Sequence, residues 1–254
     1  MKIKILYEDA NILAIDKPSG ILVHPAPSRQ GGSYETGPDE KTVVDIFKKK
    51  YPKLEIVHRL DRDTSGVLLL AKNKKAHEFL KKQFQDRTVK KIYHAIVNGW
   101  VKDDHGFIKK PIGRSPKDFR RHLSGRGARG EMREAITEYK VLKRFQAKCS
   151  QNSSSCALPR VRSGTLGNKN FVNTLPFTYL EVRPKTGRTH QIRVHMKFIN
   201  HPVVCDSLYN PNGSCPKGLK RMGLHAKSIE FQNLKNEIIK IELPMPKEFV
   251  NIVR

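Results

Sequence analysis

One carboxylate set among cations is the feature of this chain best suited to chemistry. In His58-Arg59-Leu60-Asp61-Arg62-Asp63-Thr64-Ser65-Gly66, Asp61 lies between Arg59 and Arg62. The segment runs into Val67-Leu68-Leu69-Leu70-Ala71, an apolar run bounded by turn residues, which reads as a buried strand. An acid that must act at a fixed point needs such a rigid element beside it. In a pocket lined by apolar groups, a carboxylate loses its charge unless a cation compensates it. The candidate partner is Arg193, in Arg188-Thr189-His190-Gln191-Ile192-Arg193-Val194-His195. At helical spacing His190, Arg193 and Lys197 share one face, opposite Ile192 and Met196. At an effective dielectric near ~20 and about 4 Å, the attraction is about 4 kcal/mol, enough to hold Asp61 ionised. The plain alternative is a basic surface helix. Tyr93, in a strand-like stretch, offers a flat stacking face and a polar tip. Its plain alternative is core packing.

The whole-chain charge narrows the partner. Lys and Arg number 49 against 24 Asp and Glu, a net charge of +25 over 254 residues. Such a surplus repels itself and binds polyanions, which points to nucleic acid rather than to small neutral metabolites. No run of about 18 apolar residues suggests a membrane span, and no basic amphipathic helix stands apart from the body. The alternating start, Met1 to Leu6, lacks the apolar core of a signal peptide, so a cytosolic or organelle-interior location is expected. Cys149, Cys156, Cys205 and Cys215 form no CxxC pair, so free thiols are expected and no metal is called for.

The segment from His58 to Gly66 resembles the HRLDxxTSG signature of the RluA-type pseudouridine synthases and matches it at every fixed position. Arg188 to His195 resembles the family's RTHQLRVH segment, and Asp16-Lys17-Pro18-Ser19-Gly20 and Gly223-Leu224-His225-Ala226 resemble two further ones. The resemblance implies a single catalytic domain over 1–254, with an α+β fold on a long, bent, mainly antiparallel sheet crossed by an RNA-binding cleft. It implies conversion of uridine to pseudouridine in ribosomal or transfer RNA, on a stem-loop with the uridine flipped out, by a monomer without cofactor. Asp61 would be the catalytic carboxylate, Tyr93 would pack on the target base and Arg193 would complete the catalytic set. Arg59 would fill the gap left by the base, with Arg62, Arg188 and His190 as further RNA contacts. Leu224 would wall the pocket, or simply pack in the sheet. His58, Thr64 and the turn at 16–20 would shape the loop. Where the family reads GDPLYG this chain has Cys205-Asp206-Ser207-Leu208-Tyr209-Asn210, expected to alter only a surface turn. The family's usual separate N-terminal RNA-binding domain is not expected in this chain. A catalytically silent RNA-binding or ribosome-assembly factor is the alternative function, and a nucleobase glycosidase releasing uracil a weaker one. Asp63-Thr64-Ser65-Gly66 also brings the aspartic-protease DTG to mind, but an extra residue breaks that motif and no second copy exists.

Several elements must position these residues. Strands are expected at Ile12–Ile15, Ile92–Asn98, Ala135–Leu142, Phe177–Val182 and Ile238–Leu243. In the second of these, Tyr93, Ala95 and Val97 share a face. Thr42 is placed to cap a helix carrying Val43, Val44, Ile46 and Phe47, a second helix covers Lys74–Phe84, and a third Arg188–Ile199. The mixture without strict alternation suggests α+β. Residues 28–41 read as a surface loop, and residues 146–176 as an insertion with little apolar periodicity. Residues 113–133 read as a mobile, disordered RNA-binding loop carrying Arg114, Lys117, Arg120, Arg121, Arg126, Arg129 and Arg133 among glycines.

Overall fold

The structure is a computed structural model, and it describes residues 3–25, 41–125, 127–149 and 174–254. The loop expected at 28–41 lies, but for residue 41, outside the described residues, as do residues 150–173 of the expected insertion and Arg126. The chain divides into two compact units. One comprises Met1–Ile92 with His225–Pro244, the other Tyr93–Leu224 with Met245–Arg254.

In the first unit, β1 (Lys4–Glu8) pairs antiparallel with β2 (Ile12–Lys17), and β2 antiparallel with β4 (Ser65–Ala71). The short β3 (Glu55–Ile56) also lies antiparallel to β4, and β12 (Leu224–Gln232) meets it in parallel. β13 (Ile238–Glu242) returns antiparallel along β12. Every residue of β4 is buried, which is why its sequence is continuously apolar instead of alternating. Helix α1 (Val43–Lys48) starts at a capping box in which Thr42 and Asp45 satisfy each other's backbone donors. Helix α2 (Lys74–Gln85) starts where the Asn73 side chain accepts from Ala76 N–H. Its Ala76 and Leu80 enter a core with Ile12, Ala14, Val67, Leu69 and Ile229.

In the second unit, β5 (Lys90–Asn98), β11 (Thr174–Pro184), β10 (Ile136–Lys148) and β6 (His105–Lys109) lie side by side, all antiparallel. β10 runs six residues past the expected end at Leu142, since Gln146, Ala147 and Lys148 still pair with Pro176, Leu175 and Thr174. Ladder hydrogen bonds thus hold a polar stretch that apolar periodicity alone does not mark. Ala95 and Val97 share a core cluster, with Tyr93 packed at its margin, as the alternation implied. Helix α3 (Gln191–Phe198) places Ile192 and Met196 in the same cluster, and α4 (Lys247–Val253) buries Phe249 and Val253 in another.

The expectation of a disordered loop at 113–133 is corrected. Here β7 (Ile112–Arg114) is flanked by β8 (His122–Ser124) and β9 (Arg129–Arg133) in a three-stranded antiparallel sheet. Gly125 and Gly127 have positive φ between β8 and β9, and Gly130 has it within β9, whose pairing with β7 is irregular. The cysteine expectation also changes. Cys205 and Cys215 face each other with sulfurs in contact and Cα atoms 5.2 Å apart, a spacing that suits a disulfide. Cys149 is a buried free thiol, and Cys156 lies outside the described residues. Among the described residues, no helix is long and apolar enough to cross a membrane.

Gly66 is a point of close backbone approach in the first unit. Its φ is +114°, and a Cβ there would collide with the Ala226 backbone on β12. Gly66→Ala should therefore cost roughly 3 kcal/mol or more in urea unfolding. A loss below about 1 kcal/mol would contradict this close approach of β4 and β12.

Candidate active site

The loop carrying Asp61 is tied down by the turn at residues 16–20. Lys17, at the end of β2, has no exposed surface. Its Nζ donates to the carbonyls of Pro18 (2.9 Å), Arg62 (2.8 Å) and Thr64 (2.8 Å). A buried ammonium must place its donors on protein acceptors, and here two of them belong to the Asp61 loop. Ser19 Oγ donates to Asp63 O, and Gly20 N–H to Arg62 O. Within the loop, Thr64 N–H closes a turn onto Asp61 O at 3.2 Å. Asp61 is half-buried, Arg59 exposed, and Arg62 half-buried with Nε donating to Gly20 O.

Two more contacts anchor the loop at its flanks. His58 Nε2 accepts from Leu69 N–H at 3.0 Å while its ring stacks on Phe84 at 4.8 Å. Burial, helped by the nearby Lys91 cation, pushes the His58 pKa down to about 3, so the ring stays neutral and keeps its acceptor. Ser65 Oγ is bonded to His225 Nδ1 at 2.8 Å, beside the parallel pairing of Ala226 with Gly66. This ties the two motif segments at 65–66 and 225–226 together. His58 and the 16–20 turn therefore shape the loop, as expected.

Tyr93 and Arg193 belong to the other unit. Tyr93 is half-buried on β5, opposite Val182 of β11. Arg193 is 5% exposed and makes a two-pronged ion pair with Asp206, itself 1% exposed. Nε lies 2.7 Å from Oδ2 and Nη2 lies 2.8 Å from Oδ1. Asp206 Oδ1 also accepts from the N–H groups of Leu208 and Tyr209. The sequence segment 205–210 is therefore no mere surface turn, because it supplies the buried counter-charge of Arg193. Cys205, where the family has glycine, adopts φ +54°, a left-handed conformation costing a residue with a Cβ about 1 kcal/mol.

Helix α3 starts at Gln191 instead of Arg188, because His190 is itself left-handed at φ +54°. Residues 191–196 are buried on every side, which corrects the picture of one packed and one open face. Gln191 donates to Ile136 O and Thr137 Oγ1 and accepts from Arg188 N–H. His195 bonds Thr137 Oγ1 and Lys110 O, and burial lowers its pKa. These polar residues pin the helix on which Arg193 sits.

Arg114, Arg133 and Arg188 line a cleft of about 430 Å³ with His122, Glu131 and Thr189. Arg188 Nε is held by Glu134 O, and Arg133 by Glu131. Arg120 and Arg121 both pair with Asp118 in the turn between β7 and β8, while Lys117 and Arg129 are exposed. Leu224 is 3% exposed in a core cluster with Ala95, Leu180 and Ile192, the packing reading of that residue.

A family model described as RNA pseudouridylate synthase matches residues 11–198. The chain belongs to the RNA pseudouridylate synthase family. It is 37% identical to an RNA pseudouridine synthase of Aquifex aeolicus over 98% of this chain and 72% of the relative. It is 33% identical to the pseudouridine synthase YlyB of Bacillus subtilis, over 100% of this chain and 72% of the relative. It is also 33% identical to ribosomal large subunit pseudouridine synthase D of Neisseria meningitidis serogroup B, over 100% of this chain and 61% of that protein. The human RNA pseudouridylate synthase domain containing 4 superposes with a TM-score of 0.65 at 25% identity, over 97% of this chain and 90% of that one. Domain containing 1 superposes at 0.72 with 23% identity, over 96% and 84%, and shows the fold alone. The α+β, mainly antiparallel expectation agrees with these folds.

Sequence reasoning missed Asp206 and Tyr209 as parts of the Arg193 site and undervalued Lys17. An acid within a departing motif was the available signal for the first. Asp206→Asn keeps size but leaves Arg193 without its buried counter-charge, so a loss of roughly 3–5 kcal/mol is expected in urea unfolding. A loss under about 1 kcal/mol would show that the pair is not buried as described. His58 sets an acid-side limit. Its folded pKa, about 3, lies below the ordinary 6.5, so the stability of the neutral ring is complete above about pH 6.5 and is withdrawn as pH falls toward 3. His58→Gln, whose amide oxygen can accept from Leu69, should lose roughly 1–2 kcal/mol less than wild type between about pH 6.5 and 4.5. Superimposable pH profiles would contradict the neutral ring.

Proposed function

We propose that the synthase isomerises uridine to pseudouridine at defined positions of structured RNA, with Asp61 as the carboxylate. The observation that carries this reading is the fixed Asp61 loop, held through Lys17, Ser19 and Gly20 within a family whose members are RNA pseudouridine synthases. The reaction breaks the bond between N1 and C1′, turns the base and joins C5 to C1′. The C5 proton is lost and N1 gains one, so the atoms balance without an oxidant or a cofactor. Asp61 acts either at C1′ or at C6 of the ring. Tyr93 would stack on the base, and its hydroxyl would help remove the C5 proton. Arg193, held by Asp206, would supply the cation of the catalytic set.

Large-subunit ribosomal RNA is the substrate to examine first, since a relative sharing 33% identity carries that specificity in its name. The same bacterial relatives support a cytoplasmic setting. The cationic sheet of β7, β8 and β9 would grip the RNA stem-loop while the uridine is flipped out, with Arg114, Lys117, Arg120, Arg121, Arg129, Arg188 and His190 on its phosphates. Arg59 would fill the vacated stack. The net charge of +25 suits that polyanion. The protein acts as a monomer in this reading.

Asp61→Asn should lower pseudouridine formation at least about a thousandfold while RNA affinity stays within about threefold. Pseudouridine is measured after nuclease digestion of a large-subunit ribosomal RNA transcript. Turnover within about tenfold of wild type would remove Asp61 from its role.

A further inference from the structure

Tyr209 touches three things that the reaction needs held together. Its side chain is 4% exposed. The hydroxyl accepts from His122 N–H on β8 at 2.9 Å and is bonded to His190 Nδ1 at 3.0 Å. The ring lies 5.0 Å from the Arg193 guanidinium carbon, within cation–π range. The backbone N–H donates to Asp206 Oδ1, the carboxylate that grips Arg193 in the plane of its fork. The guanidinium is thus held by the Asp206 carboxylate and lies over the Tyr209 ring. The His190 ring meets Tyr209 and His122 edge-on, at 5.6 and 5.9 Å between centroids.

We infer that Tyr209 is a positioning residue with two separable tasks. Its hydroxyl sets the register of the three-stranded sheet on the start of α3, and thereby the grip on RNA. Its ring fixes the guanidinium plane of Arg193, and thereby the rate of the chemical step. The inference rests on the roles of Arg193 and of the cationic sheet proposed above. A residue that merely filled space would not divide its effects this way, because loss of packing lowers affinity and rate together.

The test compares Tyr209→Phe, which removes only the hydroxyl, with Tyr209→Leu, which removes the ring as well. The full chain is used with a large-subunit ribosomal RNA transcript labelled with [5-³H]uridine. Affinity is measured by filter binding and the rate by single turnover at saturating RNA. Amide exchange at His122 is followed by NMR. Tyr209→Phe should weaken RNA binding about tenfold and leave the saturated rate within about twofold. It should also speed His122 exchange about tenfold, since that N–H loses its acceptor. Tyr209→Leu should in addition slow the saturated rate about a hundredfold. Tyr209→Met is a second ring-free variant should Tyr209→Leu not fold. Affinity and saturated rate falling in the same proportion in both variants would overturn the inference, as would unchanged His122 exchange in Tyr209→Phe. If wild type forms no pseudouridine, the functional reading fails, while the His122 exchange still decides the hydroxyl's task.

Discussion

A lysine ammonium fully withdrawn from water governs how the Asp61 loop is built. Lys17 is buried with its ammonium on three carbonyl oxygens, and two of those lie at Arg62 and Thr64. The gain from such bonds, about 1.5–3 kcal/mol each, is set against several kcal/mol of desolvation, so the arrangement adds little net stability. What it adds is constraint. A shift of residues 62–64 would take two carbonyl acceptors from the buried ammonium, so the loop is held against such a shift. Asp61 lies one residue before Arg62, with its own carbonyl closing the turn at Thr64. The close approach of Gly66 to Ala226 and the Ser65–His225 bond fix the far end of the loop on two strands.

The second unit applies the same physics to a different cation. Arg193 is buried against Asp206 and under the face of Tyr209, and its helix is held by Gln191 and His195. The polar residues of the motif divide the work. Gln191 and His195 bond to β10 and Lys110, while Arg193 pairs with Asp206 of the 205–210 segment. Burial of both charges makes the pair costly to break and strongly directional, which suits positioning more than stability.

Much of this was legible in the sequence where local chemistry decides structure. The cap at Thr42, the buried run of β4, the Ala95 and Val97 face of β5 and the Ile192 and Met196 stripe all follow from periodicity or side-chain reach. The Asp61 motif was equally plain. What stayed hidden was long-range. Lys17 reads as an exposed turn residue until β2 and β4 are paired, 45 residues from one of its acceptors. Asp206 reads as a turn acid until Arg193, 13 residues earlier in the chain, folds back on it. The cationic sheet of β7 to β9 was mistaken for a disordered loop because its strands are short and polar, and their order comes from cross-strand bonds and glycine turns, which no apolar pattern announces.

The central claim is that one held carboxylate moves a uracil from N1 to C5 linkage without ever releasing it. Product balance tests this most directly. A large-subunit ribosomal RNA transcript carrying [5-³H,2-¹⁴C]uridine is incubated with the full chain, and three quantities are compared: tritium released to water, pseudouridine in the digested RNA, and free uracil. The account predicts equal amounts of tritium and pseudouridine, with all ¹⁴C retained in the RNA. Free ¹⁴C-uracil in place of pseudouridine would make the protein a glycosidase, and binding with neither tritium release nor pseudouridine would make it an RNA-binding factor; either contradicts the account.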